Sequence, residues 1–231
     1  MELKKLTDKI YYYPHQPALD RPMLAYLKGG KFSLAIDAGY SEAHVRDFYR
    51  QLSRYKLKNP DLTVITHWHY DHTLGMRHIH GLSAALERTN AHLDGQRRLM
   101  AEPGCIDRLK QEDAFFQKEY AKQPDPLIVL SDIQFENQMV FHLGNLTAVA
   151  FHAESPHTDD AVCVYVPEEK VLFLGDSTSE DFFNNSHMDK IKLKQLVQMI
   201  ESTDCVYCVL SHSEPLEKAE LLAYLYGVLE S

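Results

Sequence analysis

Short apolar runs separated by turn residues fill the first forty positions. Residues 9–13, 23–27 and 32–36 each read as a strand, divided by proline or by a Gly-Gly pair. The period then changes. Val45, Phe48, Tyr49 and Leu52 fall at helical spacing, with Ser41 placed to cap them. Residues 61–66 return to strand, and further apolar runs at 148–152, 161–166, 171–174 and 206–210 read the same way. Leu193, Leu196, Val197 and Ile200 mark a later helix, and Pro215 opens the last, with Ser213 as its cap. Strands in two clusters, each followed by helices, predict an α/β fold of two facing sheets with helices outside.

A chain of 231 residues supports one sizeable core, so residues 1–231 are read as a single domain. A net charge of −9 argues against nucleic acid as the main partner. No apolar run approaches the roughly 20 residues of a membrane span, and the first ten residues lack the apolar core of a secretory signal. A cytoplasmic protein is therefore expected. Cys205 and Cys208 have redox or zinc spacing, but inside a strand-like run residues three apart point to opposite faces. They are read as core cysteines.

The candidate chemistry is concentrated after residues 61–66. There Thr66-His67-Trp68-His69-Tyr70-Asp71-His72 packs three imidazoles and one carboxylate into six positions. At a strand end His67 and His69 share a side. The turn that must follow lets Asp71 and His72 fold back toward a second point. Imidazole nitrogen and carboxylate oxygen suit zinc, iron or manganese, so one loop offers half-sites for two metals. Four ligands cannot close two sites, and the remainder must come from distant strand-end loops. His157, Asp176 and His212 each stand just before or just after an apolar run. His78, His80, His92 and His142 have no partner at ligand spacing.

The His-x-His-x-Asp-His spacing, with Gly75 at its end, resembles the metallo-β-lactamase superfamily. So do Pro156-His157-Thr158, Gly175-Asp176 and His212, and the resemblance runs from about Asp37 to His212. It implies a four-layer αβ/βα sandwich. It further implies that His67, His69 and His157 hold one divalent metal and that Asp71, His72 and His212 hold another, with Asp176 bridging. In this chain no glycine precedes His157. His152, five residues earlier, competes with it but reads as a strand end, whereas Thr158 and the following strand support His157. Asp37 and Thr158 are candidates to hydrogen-bond the outer nitrogens of the ligands, and Asp37 reads nearly as well as a turn residue.

Two metals about 3.5–4 Å apart would share a hydroxide of lowered pKa, with Asp71 both binding metal and accepting a hydrogen bond from the nucleophile. The expected activity is hydrolysis of a small ester, thioester, lactone or amide, with zinc the favoured metal and iron or manganese the alternatives. The lysine that grips the carboxylate of β-lactam drugs has no clear counterpart. Persulfide dioxygenases of the superfamily bind one iron with two histidines and an aspartate, a set that His67, His157 and Asp176 would supply. A nuclease is the third reading.

Residues 104–126 fit the core pattern least and are read as a helical insertion, with 106–120 as its helix. It either caps the metal cleft or forms a surface or homodimer contact. Phe115, Phe116 and Tyr120 would face whatever it covers, and one of them is expected to line the substrate pocket, in its own subunit or across a dimer contact.

Overall fold

The computed structural model describes residues 1–230. Seven strands form the first sheet in chain order: β1 (Lys4–Lys5), β2 (Ile10–Tyr13), β3 (Leu24–Lys28), β4 (Ser33–Ile36), β5 (Leu62–Val64), β6 (Leu82–Leu86) and β7 (Ile133–Phe135). Pairing is antiparallel from β1 to β4 and parallel from β4 to β7. The second sheet contains β8 (Gln138–His142), β9 (Thr147–His152), β10 (Val162–Val166), β11 (Val171–Gly175), β12 (Tyr207–Leu210) and β13 (Leu216–Glu217). It is antiparallel except where β12 lies parallel to β11.

Period-2 alternation explains the layering, because successive side chains leave opposite faces of a strand. Ala25, Leu27, Leu34 and Ile36 meet Val162, Val164, Val171 and Phe173 in one core between the sheets. Leu24, Tyr26 and Ala35 face outward, onto Phe48 and Leu52 of α1 (Glu42–Arg54). Cys163, Leu172 and Leu174 face out of the second sheet onto α6 (Lys190–Ser202) and α7 (Lys218–Glu230). The order is helix, sheet, sheet, helix. Ser41 caps α1 as expected, its hydroxyl accepting from the His44 amide at 3.2 Å. Among the described residues no helix is long and apolar enough to cross a membrane.

Several elements depart from the pattern. β6 and the helix α3 (Glu87–Met100) lie where no element was expected: β6 is Leu-Ser-Ala-Ala-Leu, with no β-branched residue, and α3 buries only Thr89, Asn90 and Leu93. The expected helix at 106–120 is two helices, α4 (Cys105–Glu112) and α5 (Ala114–Glu119). Asp113 divides them, its carboxylate accepting from the Phe115 and Phe116 amides at 2.8 and 2.9 Å. A capping carboxylate competes with continued helix. Near the C-terminus Ser213 lies ahead of a strand rather than a helix, its hydroxyl donating to the Glu214 carbonyl. Leu216–Glu217 pairs with β12 first, and α7 starts at Lys218. Cys205 sits ahead of β12 rather than in it, so its sulfur lies 3.9 Å from that of Cys208 instead of on the opposite face.

Candidate metal centre

The loops after β4, β5, β11 and β12, with the loop before β10, meet at one end of the inter-sheet core. Backbone bonds join the sheets there: the Val162 amide donates to the Thr66 carbonyl, and the Met23 amide to the Ser211 carbonyl, each at 2.7 Å. Two glycines allow the close approach. A Cβ on Gly75 would lie 2.0 Å from the Ala38 carbonyl oxygen. Gly175 has φ +59, and a Cβ there would press on Thr66.

All seven expected residues converge here. His67, His69 and His157 form one group of donor atoms, and Asp71, His72, Asp176 and His212 form a second. Asp176 Oδ2 lies between them, 3.2 Å from Nε2 of His72 and of His212, and 3.9 Å from Nε2 of His67 and of His157. Asp71 Oδ2 is 3.2 Å from His72 Nε2 and 3.1 Å from His212 Nε2. His152 ends β9 against the Asp159 carbonyl, outside both groups.

Hydrogen bonds on the outer nitrogens assign the tautomers. His157 Nδ1 meets the Glu180 carbonyl oxygen at 2.8 Å, which only accepts, so Nδ1 carries hydrogen and Nε2 is bare. Asp37 accepts from the Thr66 hydroxyl, leaving that oxygen to accept from His67 Nδ1 at 3.1 Å. His67 Nε2 is then a bare, buried nitrogen with no hydrogen-bond partner. Asp37 Oδ2 also receives His72 Nδ1 at 2.8 Å, so its turn at φ 64 is no mere strand end. Thr158 does not share this role; its hydroxyl donates to Asp160.

These contacts fit a bound cation. His72 and His212 have carboxylate oxygens at both ring nitrogens, an arrangement that requires either a second proton or a metal at Nε2. Burial opposes charge on both rings, but Asp71, Asp37 and Asp176 outweigh it at His72 and hold its pKa well above the ordinary value. At His212, Asp176, Asp20 and Asp71 outweigh burial, pushing the pKa up to about 12. Burial alone would raise Asp71 and Asp176, yet the facing imidazoles hold both well below the carboxylate range. In the first group burial, helped by neighbouring imidazoles, keeps His67 neutral and lowers His69 to about 3. A pair of groups rich in bare nitrogen and anionic oxygen suits divalent metal.

A family model described as the metallo-beta-lactamase superfamily matches residues 24–212. The chain belongs to that superfamily. Its curated relatives include a type 2 metallo-beta-lactamase of Elizabethkingia meningoseptica, 20% identical over 88% of this chain and 79% of the relative. A metallo-beta-lactamase structure from Pontibacter korlensis aligns over 100% of this chain and 99% of that one, with TM-score 0.68 and 18% identity. A sec-alkylsulfatase from Pseudomonas sp. aligns with TM-score 0.75 and 14% identity over 99% of this chain, which spans 41% of that protein. At these identities the structural likenesses establish the metallo-β-lactamase fold, which is the layered α/β sandwich described above.

Of the two readings of the insertion, the cap over the metal cleft of the same chain is the one that the structure does not bear out. Phe116 and Tyr120 are buried in a cluster with Tyr40, Ile65 and Trp68, behind the histidine loop, and Phe115 is exposed. None lines the metal cleft, which Asp20, His69, Asp71, His157, Asp176, Ser179, Phe182 and His212 enclose. The aromatic wall is instead Phe182 and Phe183, whose rings stand 5.5 Å from His157 and 5.0 Å from His69. Asp20, 3.2 Å from His212 Nδ1, also belongs to the site. Nothing in the spacing of the sequence marks Asp20 or the Phe pair. His92, without a ligand partner in sequence, stacks on Trp68 and meets Asp159 at 2.7 Å, beside the centre but outside both groups.

Proposed function

We propose that this superfamily member is a dinuclear metal-dependent hydrolase of small esters, thioesters, lactones or amides. The supporting observation is the pair of donor groups beside a cleft of about 300 Å³, with the Asp176 carboxylate of the second group 3.9 Å from His67 and His157 of the first. His67, His69 and His157 would hold one metal, and Asp71, His72 and His212 the other, with zinc the best match to the donors and iron or manganese the alternatives. Divalent metal in such a pair supplies a Lewis acid and a nucleophile usable at neutral pH.

The protein's own groups do the remainder. Thr66, Asp37 and the Glu180 carbonyl hold the tautomers of His67, His72 and His157. The Asp71 carboxylate, which lines the cleft, accepts a hydrogen bond from the attacking water and keeps it oriented. Phe182 and Phe183 supply an aromatic wall on one side, against His157 and His69. The cleft lining contains no Lys or Arg, which disfavours β-lactams and other substrates held by a carboxylate. Four free thiols suit a reducing, cytoplasmic setting.

The test is metal analysis of protein purified under controlled metal supply, paired with turnover. Two zinc ions per chain with acyl hydrolysis is the expected result. One iron per chain, with oxygen uptake on a persulfide and no hydrolysis, would replace this reading by the oxygenase. Completeness of the second donor group favours the hydrolase.

A further inference from the structure

A second cavity, of about 490 Å³, adjoins the metal cleft and shares Asp176, Ser179 and His212 with it. Gly175, Thr178, Glu180 and Ser213, each next to a shared residue in the chain, also line it. The rest of its wall is Met188, Leu210, Leu216, Leu221, Tyr224 and Val228. Leu221, Tyr224 and Val228 form one stripe of α7; Leu221 is buried in the core beneath it, and Tyr224 and Val228 border the groove. Tyr224 is 64% exposed although it lies on that stripe. The volume falls within the range of small-molecule sites, which are apolar with a few polar groups at one place. No Lys or Arg lines the groove, and Asp176 and Glu180 make it unfavourable for an anion.

We propose that this groove is the tail subsite of the enzyme: it takes the uncharged, apolar chain of an acyl substrate whose scissile carbonyl lies at the Asp176 end. The assignment rests on the hydrolase reading for its chemistry, but not for its binding. Continuity with the metal cleft favours a substrate chain over a protein partner, since a chain held there presents its polar end to the donor groups. Each methylene that leaves water on entering the groove should improve binding about fourfold.

Binding and turnover are measured separately on zinc-loaded full-length protein. Straight-chain primary alcohols from ethanol to decanol serve as binding probes, and p-nitrophenyl esters from acetate to decanoate as substrates. Alcohol affinity is expected to rise about fourfold per methylene and level off once the groove is full, with kcat/KM of the esters following. Met188→Trp should flatten that slope with zinc content retained. Met188→Ala, the safeguard if the larger side chain prevents folding, should move the plateau to longer chains. Alcohol binding indifferent to chain length, or a slope that neither variant alters, overturns the groove assignment whether or not esters are cleaved. A steep alcohol series with no ester cleaved upholds the groove and removes esters from the hydrolase reading.

Discussion

An imidazole that could be a ligand needs one nitrogen bearing hydrogen and one bare, and at the residue scale three acceptors make that choice for His67, His72 and His157. They are the Thr66 hydroxyl, the Asp37 carboxylate and the Glu180 carbonyl. Asp37 acts on two ligands together, directly on His72 and through Thr66 on His67. Asp37→Ala is therefore expected to weaken metal binding about 10–100-fold, with hydrolysis recovered at excess metal. Asp37→Asn is the control for backbone strain, because asparagine tolerates the φ of 64 found here. Asp176→Ala removes the oxygen between the donor groups, and excess metal should not restore its rate. Retention of both metals and near-normal turnover by Asp176→Ala would exclude the bridging role. Competition with a chelating dye measures all three variants.

Among the elements, the insertion is part of the scaffold behind the histidine loop. Its apolar side chains fill the space under Trp68 and Tyr70, and a buried ion pair ties it to the N-terminal segment. Arg21 Nη2 meets Glu119 Oε1 at 2.8 Å, both side chains nearly inaccessible, and Ser41 and Gln123 add hydrogen bonds to the same carboxylate. Arg21 directly follows Asp20, whose carboxylate contacts His212, so the pair anchors one wall of the centre. Removing one partner strands the other charge. Glu119→Ala should cost about 3–5 kcal/mol, read as a lowered urea midpoint. An unchanged midpoint would mean that Asp47, 3.4 Å from Arg21, suffices as a counter-ion. The aromatic stripe on 106–120 signalled a covered surface, but a stripe carries no information about which apolar surface covers it.

Over the whole molecule, loading with metal should couple to pH and to stability. Without metal, His72 and His212 have pKa values raised above the ordinary histidine range. Stability from a raised group is complete below its unfolded-state pKa, near 6.5, and drains away as pH climbs toward the folded value. Metal binding must expel the same protons, so affinity rises with pH. Both effects act in one direction. The melting temperature of loaded protein minus that of chelator-stripped protein should widen between about pH 6 and about pH 8. A gap that stays constant or narrows would mean that these imidazoles do not exchange protons for metal.

Alternation of period 2 and the change to helical spacing are local properties, and from them the sequence alone determined most strands, α1, α6 and the α/β class. The compact His67–His72 run is local as well, and His157, Asp176 and His212 stood out because each flanks an apolar run. Elements without a strong local pattern, such as β6 and α3, were hidden because their packing partners, not their own side chains, hold them in place. Tertiary structure alone brought Asp20 to His212, set Phe182 and Phe183 over the histidines, and opened the groove along α7. Those contacts join residues far apart in the chain, and no spacing rule reaches across a fold. The donors can be read along the chain because a few short loops carry them; the walls that choose a substrate arise only when separate elements pack together.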